Sequence, residues 1–274
     1  MKLLTYTKQD TFVHHLSGVT KLFFFLLWCV VSGLTYDTRV LAVMIAVSMW
    51  VIWDSRAKWE QFAGIAKLMA FFMIINVVCI FFFSPYIGCE IYNSRTDLLH
   101  LFGNYTITAE QLFYSLNVMM KYFTIVPSAF AFMVSTDPSE FAASMNGVGI
   151  KYTAAYSVSI ALRYIPNVQS DYRRIKNAQE ARGIEMSGKA KPIERLKRTS
   201  SIIFPMLFSS MDRIDVVSNA MQLRGFGKKK KRTWYAGVPL SRADKTVIVL
   251  CIVFSAAALW LTFYDGNRFY NPFQ

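Results

Sequence analysis

Two short stretches repeat one pattern. Asn177-Ala178-Gln179-Glu180-Ala181-Arg182-Gly183 and Asn219-Ala220-Met221-Gln222-Leu223-Arg224-Gly225 both read Asn-Ala-x-x-x-Arg-Gly, and they lie 42 positions apart. Each reads as the end of a polar helix. Gly adopts the left-handed conformation just past a helix C-terminus without a Cβ penalty, and an Arg on the last turn is favoured by the helix dipole. A guanidinium stays charged and makes forked hydrogen bonds to carboxylates or carbonyls. One such end is an ordinary solvated cap. Two matched ends in one chain suit a molecule that plugs into two similar partners, or into one symmetric dimer.

The chemistry of an enzyme is not evident. Gly183-Ile184-Glu185-Met186-Ser187-Gly188-Lys189-Ala190 comes close to a phosphate-binding P-loop, but Ala190 stands where the Mg²⁺-binding Ser/Thr belongs and no strand precedes it. The histidines His14, His15 and His100 lie in two distant places, without a metal-binding spacing. Cys29, Cys79, Cys89 and Cys251 have neither metal-ligand spacing nor the look of a disulfide framework. No nucleophile elbow is present. No cofactor or metal is therefore expected on the chain itself.

The elements that position the two arginines lie in a membrane protein. Of the 274 residues 54% are hydrophobic and 23 are Phe, and the charges are segregated. No cleavable leader is expected, so the first apolar run stays. Five segments read as spans: Leu22–Tyr36, Val40–Trp53, Gln61–Phe83, Thr108–Ser135 and Thr246–Tyr264. The first two hold only 14 or 15 uncharged residues and suit a tight hairpin or partly interfacial helices. Lys67 can snorkel from one end of the third, and Pro127 should kink the fourth.

The basic residues give the orientation. Thr136–Ala243 carries 19 Lys+Arg against 8 Asp+Glu, most of the chain's net +13. The 54–60 loop, with Arg56 and Lys58, and the N-terminal tail also carry Lys and Arg, whereas the Ser84–Ile107 loop holds only Arg95. The positive-inside rule puts the N-terminus, the 54–60 loop and 136–243 in the cytoplasm. The expected organisation is a four-span region over 1–135, a cytoplasmic coupling-helix region over 136–243, and a last span with its tail over 244–274.

Within the cytoplasmic region Asp137-Pro138-Ser139-Glu140 is a good helix start. That helix ends near Asn146-Gly147. A second, rich in Ala and Ser, runs from about Lys151 to Tyr164, and Pro166 should bend or break the chain before a polar helix from Asn167 to Arg182. A long helix then runs from Pro192 to Arg224, with an apolar stripe through Ile193, Leu196, Ile203, Leu207, Met211, Ile214, Val217 and Met221 expected to pack mostly against other helices. Pro205 should kink it. Gly227-Lys228-Lys229-Lys230-Lys231-Arg232 reads as contact with anionic lipid head groups or a solvated loop, rather than a nucleic-acid patch.

At these residues the chain resembles the transmembrane T component of energy-coupling factor (ECF) vitamin and metal transporters. Thr11-Phe12-Val13-His14-His15-Leu16-Ser17-Gly18-Val19-Thr20-Lys21-Leu22 is similar to the family's Phe-x-His-x-Leu-Asp-Pro-Arg-x-Lys-Leu, with Ser17 and Gly18 for Asp-Pro and Val19 for Arg. Arg163-Tyr164-Ile165-Pro166 resembles an Arg-Phe-Ile-Pro segment. Ala181-Arg182-Gly183 matches the first Ala-Arg-Gly signature, and Leu223-Arg224-Gly225 the second with Leu for Ala.

The resemblance implies an all-α membrane protein with about five transmembrane helices plus long cytoplasmic amphipathic coupling helices. It implies a multi-pass scaffold of the prokaryotic cytoplasmic membrane, with an ABC-type ATPase dimer docked on Arg182 and Arg224. Ala181, Gly183, Leu223 and Gly225 would shape the tips. ATP and Mg²⁺ would be bound by the two ATPases, and substrate by a membrane-embedded S component. The alternatives are an ordinary ABC importer permease forming its own substrate path, for which two docking tips in one chain are too many, and a membrane-anchored basic lipid-binding module.

Overall fold

The computed structural model describes residues 9–57, 59–102, 105–183, 192–228, 233–235, 237–264 and 268–272. The protein is an all-α membrane protein. Its order is α1 (Phe12–His15), α2 (Gly18–Leu34), α3 (Thr38–Asp54), α4 (Trp59–Phe83), α5 (Ile87–Tyr92), β1 (Asp97–Phe102), β2 (Tyr105–Thr108), α6 (Ala109–Ser135), α7 (Pro138–Gly147), α8 (Tyr152–Ala181), α9 (Pro192–Leu223) and α10 (Arg242–Phe263). The chain forms two compact units, Met1–Ser144 with Val238–Gln274, and Met145–Gly237.

In the first unit α4, α6 and α10 contain spans long and apolar enough to cross a membrane, over Phe62–Phe83, Ala109–Ser135 and Arg242–Phe263. α2 and α3 have 17 residues each, shorter than those three; α2 packs on α6 and α10, and α3 on α6. Trp28, Val31, Val40, Met44 and Ala258 bury a core between α2, α3 and α10. Trp28 and Ser48 are paired within the protein, as a bilayer interior favours. The Trp28 indole donates to Ser48 Oγ at 2.8 Å, and Ser48 Oγ donates to the Thr124 carbonyl at 3.0 Å. That carbonyl lies about one turn before Pro127, where a proline disturbs the helical ladder.

The N-terminal motif has a packing role. Ser17 caps α2, and its own N–H donates to Asp244 Oδ1 at 2.8 Å. Asp244 closes a capping box at the start of α10 by accepting from Ser241 N and Ser241 Oγ, both at 2.8 Å. Lys21 is 5% exposed and donates to the Ser135 carbonyl at 2.9 Å, with Glu140 Oε2 at 3.9 Å. A Cβ on Gly18 would collide with Ser144 Oγ and lie 2.7 Å from Glu140 Cγ. Only Gly lets α7 approach α2 this closely, which explains Gly18 at that position.

The Ser84–Ile107 segment is more ordered than the sequence suggested. It holds α5, which ends at Asn93 with φ 50°, and an antiparallel hairpin pairing Leu99 with Ile107 and His100 with Thr106. Buried Glu110, in the first turn of α6, fixes the hairpin by accepting from Ser94 Oγ at 3.0 Å, Thr96 N at 3.0 Å and Thr96 Oγ1 at 2.9 Å.

In the second unit α8 is one helix of 30 residues, with Pro166 inside it. The break expected at Pro166 does not occur. A proline removes one intrahelical donor, and at this exposed position the freed carbonyl can turn to water. α9 likewise runs 32 residues through Pro205.

Two arginine helix ends and an aromatic brace

α8 and α9 pack against each other, and their contact has a fixed point. Arg213 Nη2 donates to Asp171 Oδ2 at 3.1 Å, and the same guanidinium lies 5.9 Å from the Tyr164 ring. Tyr164 and Asp171 are about two turns apart on α8, so both lie on the face turned to α9. Ile202 is fully buried on α9, and Met206 lies beside Val168, Tyr172 and Arg173 of α8.

From this fixed point each helix runs the same distance to its arginine. The step from Asp171 to Arg182 equals the step from Arg213 to Arg224. Each step is about three helical turns, so each arm is roughly 16 Å long. The helices are antiparallel, because the end of α9 returns to the start of α8: the Phe226 ring lies 4.9 Å from Tyr156 and 6.0 Å from Tyr152. The arms therefore point apart, and the two arginine positions stand roughly 35 Å from each other by the same helical rise.

Both arginines are the residue at which the helix stops. Arg182 follows Ala181, and Gly183 takes φ +81° while its N–H bonds the Glu180 carbonyl at 3.0 Å. Arg224 follows Leu223, and Gly225 takes φ +67°. Here Gly225 N bonds Gln222 O and Phe226 N bonds Met221 O, both at 2.9 Å, the complete Schellman pattern. A Cβ at either glycine would strain a positive φ. Ala181, Arg182, Gly183 and Arg224 are exposed, Gly225 is half-buried, and Leu223 is 90% exposed. The Leu that departs from the Ala-Arg-Gly pattern thus places an apolar side chain in the open.

The surroundings of Arg224 contain residues that sequence reasoning passed over. Tyr152, Tyr156, Phe226 and Trp234 form one aromatic cluster. Trp234 lies 5.3 Å from Tyr152 and 6.1 Å from Tyr156, ring to ring. Its indole N–H donates to Asn146 Oδ1 at 3.1 Å, and Asn146 Nδ2 donates to the Ile150 carbonyl at 2.8 Å. Tyr152 and Tyr156 at i, i+4 gave a hint, since that spacing aligns two rings on one helix face. Their partners come from far along the chain, and no local pattern announces them.

The apolar stripe of α9 faces outward over 203–214, while Val217 and Met221 are half-buried. Ile203, Leu207 and Ile214 are exposed, Phe208 is 64% and Met211 61% exposed. The buried or half-buried positions include Ile202, Met206, Arg213, Val217 and Met221, so the stripe read in the sequence lies outside the packed face over 203–214 and joins it at its C-terminal end. Among the described residues no group of three or more His, Cys, Asp or Glu is placed to hold a metal ion. The P-loop-like stretch beyond Gly183 and the polybasic run beyond Lys228 lie outside the described residues.

Residues 9–235 match the family described as cobalt transport protein, CbiQ. The match encloses both arginine ends and Trp234. The energy-coupling factor transporter transmembrane protein EcfT of Streptococcus thermophilus is 23% identical over 265 residues, covering 93% of this chain and 96% of that protein. The protein of the same name from Bacillus selenitireducens is 26% identical over 280 residues, covering 95% and 97%. That of Staphylococcus aureus is 24% identical over 280 residues, covering 95% and 96%.

Proposed function

The chain belongs to the CbiQ cobalt transport protein family, the transmembrane T components of ECF transporters, and we propose that it is the scaffold of such an importer. In this reading it couples ATP hydrolysis by two cytoplasmic ABC-type ATPases to reorientation of a membrane-embedded S component carrying a micronutrient, a vitamin or a metal. In this reading the chain is a non-catalytic subunit that binds no cofactor directly. ATP and Mg²⁺ sit on the ATPases, and the S component selects the substrate.

The observation that carries the reading is the matched pair of helix ends. Arg182 and Arg224 each stop a helix at the same offset from one shared ion pair, with the arms pointing apart. Two subunits of an ATPase dimer offer two like sockets, and two like plugs about 35 Å apart suit them. Each guanidinium docks into one subunit. Ala181 and Gly183, and Leu223 and Gly225, give each tip its shape.

When the ATPases close on ATP, the distance between their sockets changes. Rigid helices cannot shorten, so α8 and α9 take up the change by pivoting about the Asp171–Arg213 contact. The exposed face of Phe208, Met211 and Ile214 moves with them and carries the S component, whose apolar surface it covers. The lysine-rich segments support a topology in which 136–243 and the N-terminus lie on the cytoplasmic side of the cytoplasmic membrane. The four-span region 1–135 and the last span 244–274 anchor the coupling region in the bilayer.

The test is purification of the tagged chain from its native membrane. Two ABC ATPases and a small membrane protein in fixed ratio support the reading. A paired permease with an external binding protein, or the chain with lipid alone, refutes it.

A further inference from the structure

The aromatic cluster beside Arg224 has no place in the docking scheme so far. Phe226 is the second residue past Arg224, and its N–H closes the Schellman turn. In such turns this side chain commonly packs on its own helix. Here it crosses to α8 and sits against Tyr156 at 4.9 Å and Tyr152 at 6.0 Å. Trp234 arrives from beyond the 227–233 segment and packs on the same two tyrosines. It is pinned in turn by its hydrogen bond to Asn146, which itself donates to the Ile150 carbonyl. Three separate pieces of chain thus converge behind one exposed arginine.

We infer that Trp234 is a positioning residue for the Arg224 tip, acting through Phe226, Tyr152 and Tyr156 to fix where that guanidinium meets its partner. The inference rests on the reading of Arg224 as an ATPase-docking point. A docking contact is strongest when its geometry exists before the encounter, because ordering a loose helix end on binding costs conformational entropy. Rings suit this purpose. Each has few side-chain torsions, and offset or tilted pairs at about 4.5–7 Å resist sliding. The Nε1–Asn146 bond sets the azimuth of the indole, while the ring contacts set its distance. The brace reaches one tip only: Tyr152 and Tyr156 lie on the first turns of α8, whereas Arg182 stands past its last turn.

The full-length chain in nanodiscs, alone and with its co-purifying ATPases, gives two independent readouts. The first is the mobility of a nitroxide on Leu223→Cys or Ala181→Cys, measured without ATPase. Trp234→Ala should mobilise the label at 223 and leave that at 181 unchanged, and Trp234→Phe, which keeps a ring, should restore most of the order. The second is cross-linking of the same cysteines to the ATPases. Trp234→Ala should lower the yield at 223 at least fivefold and change that at 181 by less than twofold. Unchanged mobility at 223 overturns the inference, as does equal loss of order at both sites, which a local brace cannot cause. Ordered tips in the wild type with no ATPase cross-link at either position would instead sink the docking reading, leaving the brace judged by mobility alone.

Discussion

Asp171 and Arg213, joined at 3.1 Å, stand at equal offsets ahead of Arg182 and Arg224. The repeat of the Asn-Ala-x-x-x-Arg-Gly pattern is therefore also a repeat in space, with the ion pair at its centre. Because the pair is partly exposed, with side-chain accessibility of 39% for Arg213 and 25% for Asp171, its own energy is small, about 0.5–1 kcal/mol. Its larger effect is to fix the register of two antiparallel helices. Spin labels on Ala181→Cys and Leu223→Cys should give a narrow distance distribution in the wild type and a broader one in Arg213→Ala. An unchanged width would show that packing of Ile202 and Met206 sets the crossing without help from the pair.

The buried carboxylate of Asp244 ties α2 to α10 by accepting from Ser17 and Ser241. Asp244→Ala should lower stability by about 3 kcal/mol, since it strands buried donors. Asp244→Asn keeps an acceptor and should lose less. Thermal unfolding in detergent measures both, and equal effects would contradict the account.

Gly18 admits α7 against α2 at a distance no Cβ allows. Gly18→Val should reduce folded yield sharply, whereas Gly33→Ala, with open space around its Cβ, should be well tolerated. Folded fractions by size-exclusion chromatography decide the comparison.

Phe208 and Met211 are exposed and apolar on α9. Phe208→Asp or Met211→Asp should change the stability of the chain by less than about 0.5 kcal/mol, as surface substitutions do. Either should nevertheless release the small membrane subunit from the purified assembly. Retention of that subunit in both variants would move its contact elsewhere.

Labelling from the two sides of the membrane tests orientation. Lys228→Cys should react with an impermeant reagent from the cytoplasm, and Ser94→Cys only from outside. The opposite pattern would invert the topology.

Much of the fold was legible because its signals are local. Apolar runs marked the spans in α4, α6 and α10, Asp137-Pro138-Ser139-Glu140 marked α7, and the glycines at 183 and 225 marked the stops of α8 and α9. Three features were not legible. Pro166 reads as a break, yet at an exposed position its cost is one hydrogen bond that water can replace. The β1–β2 hairpin has no strict alternation, and the segment leading into it is held by Glu110, which lies after it in sequence. The outward turn of the α9 stripe over 203–214 depends on which face meets α8, and Ile202, Met206 and Arg213 lie on that face. The arginines could be read from spacing, but the rings behind Arg224 meet only through the tertiary fold.

The central claim is that Arg182 and Arg224 are two docking plugs. The most direct measurement is retention of the ATPases by the immobilised full-length chain carrying Arg182→Glu, Arg224→Glu, or both. Truncating or reversing a buried, paired charge at an interface costs about 2–5 kcal/mol. Each single reversal should therefore weaken retention by about 30-fold or more, and the double reversal should abolish it, with membrane insertion intact. Wild-type retention by the double variant would contradict the account.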